Sequence, residues 1–368
     1  MSQGSLLEAL LAHEGSVEAA STSILEDLLR SPSKKRIKPS VGHQTSLRLF
    51  ASKTSTEERS VSPKRARPLS KKGTTLHLYD PEDVAENTPC SIIHNFLPPE
   101  EANDLLKEML DESNSFEKVS FKLFDNVVQS PHTSSFYVAS EAEINTQKED
   151  YFYNGARISD VRRITPQLLR ARPRVQEAVN KEIQNRIKTR YPRGQKLKHQ
   201  SPNPWSPNCA FVNCYNGPQE SAQCVAREFR VRRIIPKDSD NNRLDDMDAQ
   251  GQISIHLPHN SLLVMHAEMQ EQWKHSIAPV QAIDPHPIAG SRRINITYRD
   301  YKQNFHPRNT PKCRCGIPAV LRVVQRKTEN LGKYFWMCHG GNVPGKEHCS
   351  FFHWAEFDDD GNPIWNKT

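Results

Sequence analysis

Beyond residue 192 the chain loses its helical signatures and becomes a succession of short apolar or alternating runs, at 210–215, 228–235, 253–257, 261–266 and 292–299. Runs of this length bounded by Asn, Gly, Pro and Asp read as strands. The last of them constrains the fold most. In Arg293-Ile-Asn-Ile-Thr-Tyr-Arg299, Ile294, Ile296 and Tyr298 point one way, and Arg293, Asn295, Thr297 and Arg299 the other. Such a strand lies with its apolar face on a core. Its polar face is either open to water or the wall of a pocket, where two forked guanidinium groups would suit a carboxylate. His275, a short loop upstream after Gln-Trp-Lys, is placed to add a metal ligand beside it.

Helices precede the strands. One is expected over about Glu100–Leu110, after Pro98-Pro99, with Leu105, Leu106, Met109 and Leu110 as its apolar stripe. A second runs from Pro166 to Thr189, where Leu168, Leu169, Val175, Val179, Ile183 and Ile187 recur at helical spacing before Pro192. Helices followed by many short strands predict an α+β fold, a sandwich or barrel with helices packed on one side. The acidic stretch 238–251 reads as a surface loop. Folded structure is expected from Ser91 onward.

Composition bounds what comes before. With 36% hydrophobic residues and 26 prolines among 368, part of the chain cannot offset the entropy of ordering. Residues 29–90, rich in Ser, Pro, Lys and Arg, are that part: a disordered basic linker. Its clusters at 34–38, 64–67 and 71–72 look like a nuclear-import signal and place the protein in the nucleus. Between them, Gln44-x-x-Leu47-x-x-Phe50 resembles the peptide that docks on the replication sliding clamp, with Ala51 in place of a second aromatic. Residues 1–28 resemble the last two helices of a ubiquitin-binding UBA or CUE module. The net charge of +7 favours an anionic partner weakly. No run reaches membrane-spanning length, and the N-terminus lacks the basic region of a secretory signal.

Taken in order, four pieces resemble one family. They are Phe211-Val-Asn213-Cys-Tyr215-Asn-Gly-Pro, Arg227-Glu-Phe229-Arg, Ser261-Leu-Leu-Val-Met with Trp273-Lys-His275, and Arg293-x-Asn295-x-Thr297-x-Arg299. Together they resemble the AlkB family of iron- and 2-oxoglutarate-dependent dioxygenases over roughly residues 90–308. The resemblance implies a double-stranded β-helix, or jelly roll, for the domain 91–308. It implies His275 as the distal histidine ligand of Fe2+ and Arg293 on the far carboxylate of 2-oxoglutarate. Arg299 would hold the near carboxylate, and Asn213 and Tyr215 would hydrogen-bond the cosubstrate, with Asn295 on the same wall. The implied activity is oxidative removal of alkyl groups from damaged bases flipped out of the stack. Phe124, Tyr151 and Tyr153 are candidates to sandwich the base.

The sequence departs from the family at the iron. A His-x-Asp should follow the Asn-x-Tyr strand, yet no histidine lies between His199 and His256, and no His-x-Asp occurs from Ser91 to Arg308. His266-Ala-Glu268 is out of order and reads as a strand end entering a loop. Two of three iron ligands and one core strand look absent, and the joint at Ser221–Val225 is abrupt between otherwise intact motifs. A skipped exon or gene-model error accounts for this better than a degenerate family member.

Four of the eight cysteines fall in the C-terminal segment, as Cys313-Arg-Cys315, Cys338-His339 and Cys349-Ser-Phe351-Phe352-His-Trp354. In a chain without an export signal, such clustering reads as metal before disulfide. Four thiolates make a closed, structural Zn2+ site, and a module as small as 311–356 needs the metal to fold. Together with Gly332-Lys-Tyr-Phe335, the spacing resembles the GRF-type zinc finger, with Lys333 where that family prefers Arg. His339 and His348 are weaker ligand candidates. Such fingers bind nucleic acid, commonly single strands. Arg314, Arg322, Arg326, Lys327 and Lys333 are the expected phosphate contacts, and Tyr334 and Trp336 the expected stacking rings. An acidic tail, 357–368, follows. The expected function is a nuclear DNA repair dioxygenase whose finger holds damaged single-stranded DNA. The alternative is a nucleic-acid-binding protein without catalysis.

Overall fold

The computed structural model describes residues 73–364, apart from 124–125, 151, 154–155, 158–159, 192, 194–200, 202, 217–227, 237–250, 279–284, 343–346 and 359–360. The helical pair at 1–28, the import and clamp-like segments, most of the acidic stretch and the Ser221–Val225 joint therefore lie outside the described residues.

Ordered structure begins before Ser91, which corrects the expected end of the linker. Strand β1 (Thr75–Leu78) and helix α1 (Pro81–Asn87) come first. Leu78 is 2% exposed, within the core of a sheet. The strand was illegible because its stability comes from a partner far along the chain: it pairs in parallel with 252–255. Four residues carry too little local pattern to show against a polar linker.

Then follow β2 (Cys90–Ile93), α2 (Pro99–Glu112), β3 (Glu117–Leu123), β4 (Asn126–Val138), α3 (Glu141–Asp150), β5 (Phe152–Tyr153), β6 (Ala156–Arg157), β7 (Val161–Arg163) and α4 (Pro166–Arg190). The strand-rich half holds β8 (Cys209–Tyr215), β9 (Glu228–Arg233), β10 (Gln252–His256), β11 (Leu262–Met265), α5 (Ala267–Gln272), β12 (Trp273–Ala278) and β13 (Arg293–Arg299). A small module closes the chain with β14 (Val320–Val323), β15 (Tyr334–Met337), β16 (Phe352–Trp354), β17 (Glu356–Phe357) and β18 (Pro363–Ile364). No described helix is long and apolar enough to cross a membrane.

Two sheets dominate this α+β arrangement. One has the order β13-β8-β4-β3, with β7 joining β4; the other has the order β1-β10-β9-β12. On the first, Ala210, Val212 and Cys214 of β8 and Ile294, Ile296 and Tyr298 of β13 form one apolar face. That face packs on Ala102, Leu105 and Met109 of α2 and on Leu168 and Ala171 of α4. Full burial of a side chain such as Met109 or Leu168 stabilises by about 1.5–3 kcal/mol. Tyr298 adds a hydrogen bond from its Oη to the Leu168 carbonyl, 2.8 Å away. The helices α2 and α4 thus cover one side of the sheet; the other side is packed at one end, where Phe136, Val138, Cys209 and Phe211 are buried with Ile144 of α3 and Val161, and polar toward the other end. A second core gathers Leu78, Val84, Cys90, Ile92, Phe229, Val231, Ile253, Ile255 and Met269 around the other sheet.

His266-Ala-Glu268 follows a strand end as expected but enters helix α5 rather than a loop, and its polar side chains serve the fold. His266 starts α5, is 3% exposed, and lies 2.9 Å from the Ser91 hydroxyl through Nε2. Glu268 pairs with Arg186 and accepts a hydrogen bond from Tyr191 Oη at 3.0 Å. The segment fastens α5 to β2 and α4. Burial, reinforced by the Arg186 charge, lowers the His266 pKa from 6.5 to about 4. The unfolded chain therefore takes up this proton more readily than the folded one. Stability is full above pH 6.5 and is lost as the pH falls from there toward 4. At pH 5 this one group should cost about 2 kcal/mol relative to pH 7.5. Urea unfolding of wild type and His266→Gln across that range measures it. The variant should show the shallower pH dependence, and equal slopes would acquit His266.

Candidate functional site

The polar side of the first sheet is set by the register of β8 and β13. Arg293 lies opposite Tyr215, Asn295 opposite Asn213, Thr297 opposite Phe211, and Arg299 opposite Cys209. Residues directly opposite share a face. The ladder therefore brings Asn213, Tyr215, Arg293, Asn295 and Arg299 together on the side turned away from α2 and α4. β4 extends the face with Ser134, opposite Asn213. The His132 ring lies 4.9 Å from that of Tyr215.

Aromatic rings position the cations. The Arg293 guanidinium lies 5.4 Å from the centre of the Tyr215 ring, and that of Arg299 5.8 Å from the Phe211 ring. Asn295 Nδ2 donates to Thr297 Oγ1 at 3.4 Å. The Asn213 side-chain oxygen is buried without a hydrogen-bond partner among the described residues. A buried amide left this way is costly unless a ligand completes it; a half-turn of the group presents its N–H instead. Two planar cations, an incomplete amide and a phenol make a donor set that fits a dicarboxylic oxo acid.

His275 comes from the other sheet. It lies opposite Val231, with its ring 5.4 Å from that of Phe229. Desolvation first, and then the charge of Arg299, lower its pKa. His275 and Arg299 are thus near enough to act on each other across the two sheets. Iron at His275 is another matter. A 2-His-1-carboxylate centre needs three ligands on one face. Among the described residues no group of three His, Cys, Asp or Glu ligands includes His275. The groups that could hold a metal are the four C-terminal cysteines and a separate set, His77, Glu228 and His256. Residues 217–227, between β8 and β9, contain neither His nor Asp. The described residues do not complete an iron centre at His275.

Of the expected base-sandwiching aromatics, Phe124 and Tyr151 lie outside the described residues. Tyr153 is in β5, paired with Ala156, and its side chain also lies outside them.

In the C-terminal module the ligand atoms of Cys313, Cys315, Cys338 and Cys349 all lie within 4.8 Å of one another, with 4.0 Å between the Cys315 and Cys338 sulfurs. Four sulfurs around one zinc stand about 3.8 Å apart, so the cluster fits the metal closely. The amides of Gly340 and Cys349 donate to Cys338 Sγ at 3.3 and 3.4 Å, as thiolate ligands require. Against desolvation, the Phe351 amide and the Cys315 and Cys338 thiols bring the Cys349 pKa down to about 6. His339 and His348 are not part of the cluster.

The three-stranded sheet β14-β15-β16 sorts the aromatic residues, and it corrects one assignment. Trp336 is 1% exposed and belongs to the module's interior, so it is no stacking platform. Tyr334 shares its face and hydrogen-bonds Glu271 of α5, where burial first and Glu271 second push its pKa up. Strand alternation turns Phe335 outward instead. Phe335 lies opposite Trp354, and Met337 opposite Phe352. Phe352 and Trp354 are 52% and 41% exposed. Phe335 stacks on Phe352 at 5.1 Å, and Lys333 Nζ lies 5.8 Å from the Trp354 ring. Arg322, opposite Phe335, adds charge to this face, and Arg314, Arg326 and Lys327 are exposed nearby in sequence. Rings with cations among them suit the stacking of bases and the contact of phosphates.

Family profiles match both halves of the chain. The profile of the 2OG-Fe(II) oxygenase superfamily matches residues 89–223 and 224–299, in two parts that meet inside the Ser221–Val225 joint. The GRF zinc finger profile matches 311–358. Human DNA topoisomerase 3-alpha is 38% identical over 53 residues, 14% of this chain and 5% of that protein. The solved structure of OsALKBH1 aligns with a TM-score of 0.29 and 13% identity, over 58% of this chain and 97% of that one.

The zinc module yields a direct expectation. A mercurial that blocks thiols should release one zinc per chain from the wild type and none from Cys338→Ser. The variant should also release Trp336 into water, seen as a red shift of its fluorescence. Undiminished thiol-dependent zinc in the variant would refute the ligand set.

Proposed function

Because this chain belongs to the 2OG-Fe(II) oxygenase superfamily and ends in a GRF zinc finger, we propose that its architecture is that of an AlkB-type dioxygenase that removes alkyl groups from nucleic-acid bases. DNA in the nucleus is its target, with the finger holding a single strand near the pocket. The observation that carries the reading is the shared face of Asn213, Tyr215, Arg293 and Arg299, on the same chain as a finger with an outward ring-and-cation surface. In this reading Arg293 grips the far carboxylate of 2-oxoglutarate and Arg299 the near one. Asn213 and Tyr215 hydrogen-bond the cosubstrate, and Asn295 lines the wall. The basic clusters ahead of residue 73 support nuclear import. The segments 44–51 and 1–28 add the sliding clamp and ubiquitin as partners.

A second reading rests on the lack, among the described residues, of a three-ligand group at His275. This chain, as it stands, binds 2-oxoglutarate and single-stranded DNA without turning over. The two readings part in one experiment. Methylated single-stranded DNA is incubated with the protein, Fe(II), 2-oxoglutarate and oxygen, and succinate and unmodified base are measured. No succinate is expected from this chain. Inserting a family strand that carries His-x-Asp between Ser221 and Val225 should restore it. Turnover without the insertion defeats the second reading, and none with it defeats the first.

Binding has its own expectations. Arg293→Lys keeps the charge but loses the fork, and should weaken 2-oxoglutarate roughly tenfold in calorimetry. Trp354→Ala and Phe352→Ala should each weaken single-stranded DNA by roughly 5- to 100-fold. Arg326→Ala should flatten the salt dependence of that binding. Unchanged affinity in both aromatic variants would move the nucleic-acid surface elsewhere.

A further inference from the structure

The sheet β1-β10-β9-β12 has a second polar cluster, on the face away from His275. His256 of β10 lies opposite Glu228 of β9, and His77 of β1 lies opposite Ser254, two residues from His256 on the same face. His275 lies opposite Val231, three residues from Glu228 and hence on the other face. We infer that His77, Glu228 and His256 form a binding site for a divalent transition-metal ion, separate from both the cosubstrate wall and the zinc finger.

Geometry carries this. The three ligand atoms lie within 4.8 Å of one another, and His77 Nδ1 is 2.9 Å from His256 Nε2. Two imidazole nitrogens at that distance share one proton. A metal with nitrogen ligands in tetrahedral geometry holds them about 3.3 Å apart, so replacing the proton by the ion needs a shift of a few tenths of an ångström. The donor set, two imidazoles and one carboxylate, is one that Zn2+ and its first-row neighbours accept.

The ligands are also held from behind. The Tyr79 ring stacks on His256, with centroids 4.1 Å apart and planes within 12°. Ser254 Oγ donates to Glu228 Oε2 at 3.0 Å, and Arg230 Nη2 lies 3.3 Å from the same oxygen. Both contacts use Oε2, which leaves Oε1 for a cation. Orienting partners of this kind are what a ligating carboxylate needs. The Arg230 charge acts against a cation and limits affinity without blocking the site.

The site's place in the fold gives it a task. β1 is a four-residue strand held by one parallel ladder, and His77 sits in it. An ion shared by His77, Glu228 and His256 would clip this first strand to β9 and β10. Binding to the folded state alone raises stability by mass action. The ion would therefore be a clasp on the domain's N-terminal edge, and the clasp does not depend on the function proposed above.

Full-length protein with its finger zinc in place is equilibrated with Zn2+, passed through gel filtration and assayed for metal. Wild type should retain two equivalents, one of them released by a thiol-blocking mercurial. His77→Ala and His256→Ala should each retain only the thiol-bound equivalent. Glu228→Gln should bind the second zinc at least tenfold more weakly, and Ser120→Ala, in β3 of the other sheet, should keep both. Retention of the mercurial-released zinc shows that each variant's finger is folded, and far-UV circular dichroism does so for the sheets. Added Zn2+ should raise the melting temperature of Cys338→Ser, which lacks the finger site, and not that of Cys338→Ser combined with His77→Ala. A single equivalent in wild type, or two in the His77→Ala/His256→Ala double variant, overturns the site.

Discussion

The antiparallel ladder between β8 and β13 is the constraint on which the rest of the structure depends. Its register runs unbroken from Arg293–Tyr215 to Arg299–Cys209. Because side chains alternate, one pairing does two things at once. It lays Ala210, Val212, Cys214, Ile294, Ile296 and Tyr298 on α2 and α4. It also turns Asn213, Tyr215, Arg293 and Arg299 to the opposite side. A slip of one residue would drive both arginines into the helical core and lift three large apolar groups into the pocket. The desolvation of two unpaired guanidinium groups alone would exceed the stability of a typical domain. Core and pocket are consequently specified together, and the apolar half of the pattern protects the polar half.

That coupling explains why so much of this region could be read from the chain. A strictly alternating run carries its fold and its face in the same seven letters, and the matching run at Phe211–Tyr215 supplies the partner. The helices α2 and α4 were equally legible, because an apolar stripe at helical spacing needs no knowledge of what it packs on. β1 was not legible, since its ladder partner lies some 177 residues away, as between Thr75 and Gln252. β4 hid for a different reason. It is long but polar, with Ser130, Pro131, His132 and Thr133 in its middle, and it is held by β3 on one side and β8 on the other rather than by its own pattern.

The zinc module shows how one unit of parity reverses a functional reading. Composition places Tyr334, Phe335 and Trp336 together among cations, and nothing in the letters says which side of β15 is buried. The buried side is the one that carries Tyr334, whose hydroxyl meets Glu271 of α5, an element far back along the chain. Trp336, the largest ring, fills the interior, where its area stabilises most. Phe335 is left outside with Phe352 and Trp354. The cation pattern survived because Arg322 and Lys333 share the parity of Phe335.

Tyr334 then has a use that stacking would have denied it. Its hydroxyl meets Glu271 of α5, and Gln325 Nε2 donates to the Glu271 carbonyl at 3.2 Å. Glu271 stands two residues ahead of β12, the strand that carries His275. Burial pushes the Glu271 pKa up and the Tyr334 hydrogen bond pulls it back, so the contact is formed in a partly dry seam. Opening that seam would return a carboxylate to water but would leave the inner face of β15 without its cover. The finger is thus fastened by its inward residues to the element next to His275, while its outward rings stay free. A strand of nucleic acid stacked on Phe352 and Trp354 would be held in a fixed relation to β12. In the proposed function, the position of the finger, and not only its affinity, would then help to bring a base toward the pocket.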